Sequence, residues 1–313
     1  MEYKHIFGPV ASRRLGISLG VDLVVHKVCS LDCVYCECGE TTDLTRDRLD
    51  YVPFDRVKAE LDHYWAHNDD PDFITFSGSG EPTLNQDIGR VIDYIKETHP
   101  GIRVALLTNA TLLTDPELRR ELSRVDLLVP SLDAVSDKAF RRINRPCPGL
   151  EPGDVLSGIK AMAREFRGEI WLEIFILPGV NDSAEELDLF KAEIQAIHPT
   201  RVQLNTLDRP GTLDTVVPAT REELEAIAAY LGFENLEIIA KVKKKQVKVP
   251  AEHLESAVLE TIHRRPCTAE DLISMLGAEE TALTELLNRL LASGRIESVR
   301  EARGMFYRTI KED

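Results

Sequence analysis

Four of the six cysteines in this 313-residue sequence lie within ten positions of one another. Three of them, Cys29, Cys33 and Cys36, have the spacing C-x3-C-x2-C, and Cys38 stands outside that pattern. Iron–sulfur clusters normally take four cysteine ligands, so three thiolates can hold three irons of a cubane and leave the fourth iron open to another ligand. A structural zinc site that includes Cys38 is the alternative, although structural zinc commonly uses ligand pairs separated by a longer loop.

A second group of residues follows predicted strands. In the segment FSGSGEPTL, Gly78 and Gly80 would let the backbone approach a ligand closely, and Glu81 could accept hydrogen bonds. A tight turn ending at Pro82 would explain the same residues without a ligand. Active residues of parallel α/β folds lie at the carboxyl ends of the strands. The other candidates at such positions are Thr108, Asn109, Ser131, Asp133 and Glu173.

Two arginines follow the fourth predicted strand in the segment VPSLDAVSDKAFRRINRPCPG. Arg142 and Arg145 are candidates to hold a carboxylate, because a guanidinium group can bind one through two parallel hydrogen bonds. Surface ion pairs explain both residues equally well.

The elements that must position these residues alternate between short apolar runs and amphipathic segments from about residue 17 to residue 240. The apolar runs predict six strands, in ISLGVDLVV, DFITFSG, IRVALLTN, VDLLVPSLD, EIWLEIFILPG and RVQLNTL. The predicted helices lie at about 53–66, 86–98, 115–122, 153–166, 183–196 and 220–231. Six strand–helix repeats imply a parallel sheet covered by helices. Periodicity alone does not separate an open doubly wound sheet from an incomplete barrel.

The sequence pattern changes after KVKKKQVK, a basic alternating stretch at 241–248 that predicts a last strand or a linker. Helices are predicted at about 251–263, in TAEDLISMLG and in EETALTELLNRLLASG, and two short strands in RIESVREARGMFYRTI. This order of elements resembles a winged helix. We therefore expect a barrel domain over residues 1–245 and a winged-helix-like domain over residues 246–313.

The cysteine spacing, just after the first predicted strand, resembles that of the radical S-adenosylmethionine enzymes. The resemblance implies an α/β fold, a partial (β/α)6 TIM-type barrel, with a 4Fe–4S cluster bound by Cys29, Cys33 and Cys36. It also implies S-adenosyl-L-methionine on the open iron. In that family an electron from the cluster cleaves the sulfonium, and a 5′-deoxyadenosyl radical takes a hydrogen atom from the substrate. A low-potential electron donor such as flavodoxin or ferredoxin is the partner that follows.

The same resemblance implies roles for the other candidates. The residues GSGE at 78–81 match the family's GGE-type motif, which receives the ammonium group of the cofactor. Tyr35 matches the aromatic residue that packs on the adenine, with a core aromatic residue as the alternative. Ser131 and Asp133 match a segment that contacts the ribose or the methionine end in relatives.

A narrower resemblance connects GPVASRRLGISLGVDLV, SGSGEPTL, INRP and QLNTLDRPGT with the proteins grouped with wyosine-tRNA synthases. Those synthases act on tRNA and bind a second cluster through three further cysteines. Here only Cys38, Cys147 and Cys267 remain, far apart in sequence, so a second cluster is not expected. Cys147 could instead donate a hydrogen atom to a product radical, although an inert loop cysteine explains it as well.

Charge bears on the substrate. Asp and Glu number 53 against 38 Lys and Arg, a formal net charge of −15, and acidic residues also outnumber basic ones in 251–313. Because such a surface repels phosphate backbones, we expect a peptide or small metabolite as substrate, with a peptide or protein at the C-terminal domain. An RNA base, or a non-enzymatic sensor with the C-terminal domain as its output, are the alternatives. No apolar stretch predicts a membrane helix or an export signal, so a cytoplasmic location without a membrane partner is expected.

Overall fold

The computed structural model describes residues 3–12, 15–208, 211–213, 215–239, 254–264, 266–301 and 304–310. Its central feature is an eight-stranded sheet in which the first strand is antiparallel to the second and all further neighbours are parallel. In spatial order these strands are β1 (Ile6–Ser12), β2 (Gly16–Val21), β5 (Phe73–Phe76), β6 (Arg103–Thr108), β7 (Leu127–Pro130), β8 (Glu169–Phe175), β9 (Arg201–Asn205) and β10 (Leu236–Ile238). Within the described residues β1 and β10 do not pair, so the sheet is a partial barrel, as predicted.

Helices cover one side of this sheet. They are α1 (Phe54–His67), α2 (Ile88–Thr98), α3 (Pro116–Glu121), α4 (Asp137–Ile143), α5 (Pro152–Glu165), α6 (Ala184–Ile197) and α7 (Arg221–Leu231). Their apolar faces and the strands share one hydrophobic cluster, with Ile74, Leu106, Leu172 and Leu204 fully buried in it. The six predicted helices are confirmed, each boundary within two residues. No helix in the described part of the chain is long and apolar enough to span a membrane.

The other side of the sheet carries a smaller apolar cluster. Phe73, Ala105, Leu127 and Trp171 pack together there, and the guanidinium of Arg201 lies 4.6 Å from the centre of the Trp171 ring. Each of these residues lies in the first half of its strand. The carboxyl ends of the strands are therefore left for a site, as expected for this architecture.

Among the elements of the barrel that were not predicted are β1, β10 and α4. The Gly-Pro pair inside β1 argues against a strand by composition, but the pairing register with β2 shifts between Phe7 and Val10, so the pair forms a bulge. Helix α4 is capped by Ser136, whose hydroxyl accepts a hydrogen bond from the amide of Ala139 at 3.2 Å. The turn-rich segments on either side of this short helix obscure its helical pattern in the sequence.

The C-terminal part has its own hydrophobic cluster. Its elements are α8 (Leu254–Arg264), β11 (Cys267–Thr268), α9 (Ala269–Leu276), α10 (Glu280–Ala292), β12 (Ile296–Glu301) and β13 (Gly304–Thr309), with the antiparallel order β11-β13-β12. The predicted helices and two strands are confirmed, and β11 is an addition. The winged-helix assignment and the domain boundary stay predictions, and the KVKKKQVK stretch lies outside the described residues. Val10 of β1 packs against this cluster, and the rings of His26 and His263 are 5.7 Å apart.

Candidate active site

The three cysteines of the C-x3-C-x2-C pattern lie on one loop after β2. Val28 and Cys29 form β3 (Val28–Cys29), which pairs with β4 (Asp43–Leu44). The amide of Cys36 donates a hydrogen bond to the carbonyl of Cys33 at 3.1 Å, which closes a tight turn between the last two cysteines. We call residues 28–45 the cysteine loop.

The thiols of this loop differ in acidity. Burial raises the pKa of Cys29 to about 12 and raises the pKa of Cys33 well above its ordinary value. A hydrogen bond from the thiol of Cys38, aided by the buried ammonium of Lys27, lowers the pKa of Cys36 to about 6 against the effect of burial. The thiolate form is therefore favoured at Cys36, whereas metal binding displaces protons from Cys29 and Cys33.

The glycines after β5 are required by packing against the chain itself. A Cβ atom on Gly80 would lie 1.9 Å from the carbonyl oxygen of Val28, and one on Gly78 would lie 2.2 Å from the carboxyl carbon of Asp22. The amide of Glu81 donates to that same Val28 carbonyl at 3.1 Å. The glycine motif thus holds the start of the cysteine loop.

The carboxylate of Glu81 is enclosed by donors from this chain and is 2% exposed. Its Oε1 accepts hydrogen bonds from the Thr83 amide at 3.1 Å, the Thr83 hydroxyl at 2.6 Å and the Thr108 hydroxyl at 2.7 Å. Its Oε2 accepts from the Asn109 amide at 2.7 Å. Burial raises the pKa of Glu81, and these hydrogen bonds oppose that rise. These bonds link the ends of β5 and β6, and the contact of Glu81 with the cofactor ammonium stays a prediction.

The side chain of Asn109 extends this link to the cysteine loop. Its Nδ2 donates to Cys29 Sγ at 3.5 Å and to Ser30 Oγ at 2.9 Å. Its Oδ1 accepts from the Thr111 amide at 3.1 Å, and the hydroxyls of Ser30 and Thr111 are hydrogen-bonded at 2.6 Å. The end of β6 therefore positions the first cysteine.

Asp133, just beyond β7, is the centre of a second buried network. Its Oδ2 accepts hydrogen bonds from the Tyr35 hydroxyl at 2.5 Å and from Asn144 Nδ2 at 2.9 Å, and its Oδ1 accepts from the Phe175 amide at 3.1 Å. Asn144 Nδ2 also donates to Cys33 Sγ at 3.3 Å. Burial raises the pKa of Asp133 to about 6. The Tyr35 ring is stacked on Phe175 at 3.9 Å, so one face of the predicted adenine contact is already covered.

Ser131 and Glu173 lie opposite each other where β7 and β8 end. They form a parallel bridge, and the Glu173 carbonyl accepts from the Leu132 amide at 2.8 Å. Both residues are partly buried beside Asp133. These strand-end candidates are therefore brought together.

The segment after α4 contacts the cysteine loop through Arg145 and Cys147. The Nε of Arg145 donates to the Asp32 carbonyl at 2.6 Å, and its Nη2 pairs with the Asp32 carboxylate at 2.8 Å, so the carboxylate it holds is the chain's own. Cys147 is 4% exposed within the main hydrophobic cluster, and its amide donates to the Ser30 carbonyl at 3.0 Å. That position does not favour a hydrogen donor at an open mouth. Arg142 is exposed on α4, away from these contacts.

Sequence reasoning missed several residues that hold the loop. The hydroxyl of Thr212 donates to the Cys33 carbonyl at 2.6 Å, and its amide donates to the Val34 carbonyl at 3.1 Å. Asn144, Asp32 and Lys27 were also missed. A signal was present, because Asn144 and Thr212 belong to the INRP and QLNTLDRPGT segments of the narrower resemblance.

These residues fit a cubane cluster that keeps one iron open. Its usual ligands are thiolates, and each cysteine of the pattern has an N–H donor, from Asn109, Asn144 and Lys27 in turn. Within the described part of the chain no three His, Cys, Asp or Glu side chains converge as the ligands of one metal ion do. A cubane requires a different arrangement, because each of its thiolates binds a separate iron.

Comparison with known proteins identifies a family and several proteins similar in sequence to this chain. The radical SAM superfamily matches residues 23–190. A UPF0026 protein, slr1464, of Synechocystis sp. is 38% identical over 233 residues, which cover 74% of this chain and 83% of that protein. A protein of Brachyspira hyodysenteriae named GTPase Obg is 35% identical over 95% of this chain, which spans only 44% of that relative. A dual-specificity RNA methyltransferase, RlmN, of Oleidesulfovibrio alaskensis is 26% identical over 78% of this chain and 69% of its own length.

Solved structures share the fold at low identity. SuiB of Streptococcus suis, bound to the precursor peptide SuiA, has a TM-score of 0.54 and 15% identity over 70% of this chain and 48% of its own. TYW1 with a bound lysine-pyruvate adduct has a TM-score of 0.50 and 16% identity over 72% of this chain and 75% of its own. Radical SAM enzymes use a 4Fe–4S cluster and S-adenosylmethionine and need a reductant. The chain belongs to the radical SAM superfamily and is an enzyme of that family.

Proposed function

We propose that Cys29, Cys33 and Cys36 bind one 4Fe–4S cluster and leave its fourth iron to S-adenosyl-L-methionine. The observation that carries this proposal is the support of the cysteine loop by segments distant in sequence. The carbonyls of Val28, Ser30 and Cys33 accept hydrogen bonds from the residues after β5, α4 and β9 respectively. A loop fixed at so many points holds its thiols in one arrangement, as a preorganised metal site requires.

The cofactor pocket on this proposal lies beside the loop, at the carboxyl ends of β5 to β8. We assign the backbone carbonyls of 78–80 to the ammonium group, because the oxygens of Glu81 already accept four hydrogen bonds. Tyr35, Ser131 and Glu173 are the side chains for the nucleoside. Asp133 acts through Tyr35, whose hydroxyl it orients.

Cys29, Cys33 and Cys36 would hold the cluster, and the bound cofactors would supply radical chemistry, namely one-electron cleavage of the sulfonium and abstraction of a hydrogen atom from the substrate. The electron comes from an external low-potential donor, for which we propose flavodoxin or ferredoxin. Val34, Ile176 and Leu177 are buried in the main hydrophobic cluster, close in sequence to the cysteines and to the end of β8.

Substitution of one cysteine tests this assignment. Protein purified without oxygen should contain a 4Fe–4S cluster and release 5′-deoxyadenosine when S-adenosylmethionine and a strong reductant are added. Cys33→Ala should lose both iron and product. Cys267→Ala is the matched control, because that thiol is buried in the C-terminal cluster, and it should keep both. Iron and cleavage that persist in the Cys33→Ala protein would overturn the assignment.

A further substitution separates three ligands from four. The Cys38 thiol lies beside Cys36 and 3.5 Å from the Gly78 carbonyl. On this proposal Cys38→Ala keeps the cluster and the binding of S-adenosylmethionine, measured by equilibrium dialysis. Loss of metal from this variant would show a site closed by four cysteines, as in structural zinc.

For the substrate, we propose a peptide or small metabolite. The net charge of −15 disfavours a phosphate backbone, and a protein of the same fold, SuiB, is bound to a precursor peptide. An RNA base is the second candidate, supported by the match to an RNA methyltransferase and by the wyosine resemblance. Filter binding of bulk tRNA at low salt separates the two candidates. Retention of tRNA on the filter would favour an RNA substrate, and no retention would exclude one. The sensor hypothesis is dropped, because the protein is an enzyme.

A further inference from the structure

Two buried sets of side chains with the same chemistry reach the cysteine loop from different strands. In the first, the Glu81 carboxylate accepts from the amide of Asn109 at 2.7 Å, and Asn109 Nδ2 donates to Cys29 Sγ at 3.5 Å. We call these three residues the Glu81 triad. Its carboxylate is only 2% exposed.

The second set, which we call the Asp133 triad, repeats this order. Asn144 Nδ2 donates to the Asp133 carboxylate at 2.9 Å and to Cys33 Sγ at 3.3 Å. Asp133 is 4% exposed and Asn144 is 2% exposed. In both triads a carboxylate near a strand end bonds an asparagine, through its backbone amide in the first and through its carboxamide in the second. In both, the carboxamide points an N–H group at a thiol of the C-x3-C-x2-C pattern.

Such an arrangement matters to a cluster in two opposite ways. An N–H donor to a ligating sulfur stabilises the extra electron of the reduced cluster and so raises its reduction potential, whereas a buried negative charge nearby opposes that electron. The low polarity of the interior strengthens both effects. Within one triad the carboxamide and the carboxylate therefore act on the potential with opposite signs.

We propose that Asn109 and Asn144 are positioning residues that raise the reduction potential of the cluster, and that Glu81 and Asp133 aim them at the sulfurs while lowering that potential by their charge. The proposal rests on the proposed function, in which Cys29 and Cys33 are cluster ligands. It adds the residues that determine how readily the cluster accepts its electron.

The Asp133 triad gives the sharper test, because its two members can be changed separately. Asn144→Leu removes the N–H donor at similar side-chain size, and it should lower the midpoint potential. Asp133→Asn removes the charge and keeps an oxygen that accepts from Asn144, and it should raise the midpoint potential. We expect each variant to change the reduction equilibrium about tenfold, which for one electron is about 59 mV. The potential is measured by redox titration followed by electron paramagnetic resonance, without S-adenosylmethionine.

A second variant and a matched control guard against an effect of folding alone. Asn109→Asp keeps the acceptor used by Thr111 and replaces the donor to Cys29 by an oxygen, so the potential should fall here as well. Asn85→Leu is the control, because Asn85 is fully buried but donates to the carbonyls of Leu23 and Val52 instead of a thiol. It should leave the potential within a few-fold of the wild-type equilibrium.

The outcomes separate this inference from the assignment of the ligands. A lower midpoint potential in Asn144→Leu and a higher one in Asp133→Asn, at unchanged iron content, support the proposal. Unchanged potentials, or shifts of the same sign in both variants, overturn it even if the cluster is present. Iron retained by Cys33→Ala would instead contradict the proposed function itself.

Discussion

At the scale of single residues, Gly80 has no space for a side chain. A Cβ atom there would meet the Val28 carbonyl oxygen at 1.9 Å, and that oxygen belongs to the backbone immediately before Cys29. We predict that Gly80→Ala displaces the start of the cysteine loop, lowers the free energy of unfolding by about 2–4 kcal/mol and reduces the iron bound per chain. Thermal unfolding and an iron assay measure the two effects.

A second glycine serves as the control for this prediction. Gly153 lies in the first turn of α5, and a Cβ atom there would have no neighbour within 4 Å. Gly153→Ala should leave iron binding unchanged and stabilise the chain by up to about 1 kcal/mol. A similar loss of iron in both variants would show that the loop does not depend on the contact with Val28.

Asp133 makes a prediction about pH. Burial raises its pKa to about 6 in the folded chain, so the folded state binds the proton more tightly than the unfolded state does. Stability from this group is therefore present below pH 4 and is lost as the pH rises through about 6, by about 3 kcal/mol in all. Asp133→Asn removes this dependence.

The measurement compares urea unfolding of the cluster-free wild type and variant from pH 4 to pH 8. The difference in unfolding free energy should drift in favour of the variant up to about pH 7 and then stay constant. The Asn side chain loses the contact with the Phe175 amide at every pH. This loss shifts the difference in unfolding free energy by a constant, so the test is how that difference changes with pH. A constant difference throughout would contradict the prediction.

At the scale of elements, the helices were predictable because capping side chains close in sequence mark their ends. Thr220 and Glu223 form a reciprocal cap at the start of α7, and Ser183 accepts from the Glu186 amide at the start of α6. The strands were predictable from their buried β-branched and leucine residues. Each of these signals lies within a few residues of the element that it defines.

Other elements and contacts depend on residues far apart in sequence. Strand β1 contains a Gly-Pro pair that only its bulged pairing with β2 accommodates. The cysteines and the glycine motif were predicted as a site, but the role of Glu81 as an internal link was not, because its donors come from the turn after β5 and from the end of β6. Asn144 and Thr212 lie more than a hundred residues beyond the thiol or carbonyl that they contact, and no local pattern records that proximity.

The segment after β9 allows a test at this scale. Thr212 donates its hydroxyl to the Cys33 carbonyl at 2.6 Å. Thr212→Val removes this bond and leaves a carbonyl without that donor, which should cost about 1–2 kcal/mol and speed the loss of iron to a chelator several-fold. Thr215→Val, at an exposed position nearby, should lose iron at the wild-type rate. Equal rates in the two variants would show that the segment does not hold the loop.

At the scale of the whole molecule, the barrel and the C-terminal part have separate hydrophobic clusters. Leu172 is fully buried in the first, and Leu287 is 2% exposed in the second. Each Leu→Ala substitution should cost about 2–5 kcal/mol. Leu172→Ala should also lower the iron bound per chain, whereas Leu287→Ala should lower only the unfolding temperature of the C-terminal part. Calorimetry and an iron assay distinguish the two, and iron loss in Leu287→Ala would show that the clusters are energetically coupled.

The order of residues along the chain also has a consequence for biosynthesis. The thiols of the cysteine loop leave the ribosome early, but Asn109, Asn144 and Thr212, which hold them in the folded chain, follow much later. At roughly 5–20 residues per second, Thr212 is added on the order of ten seconds or more after Cys36. Until then the nascent chain displays thiols without the full set of groups that orient them. We therefore expect the loop to hold a cluster stably only once the barrel is complete.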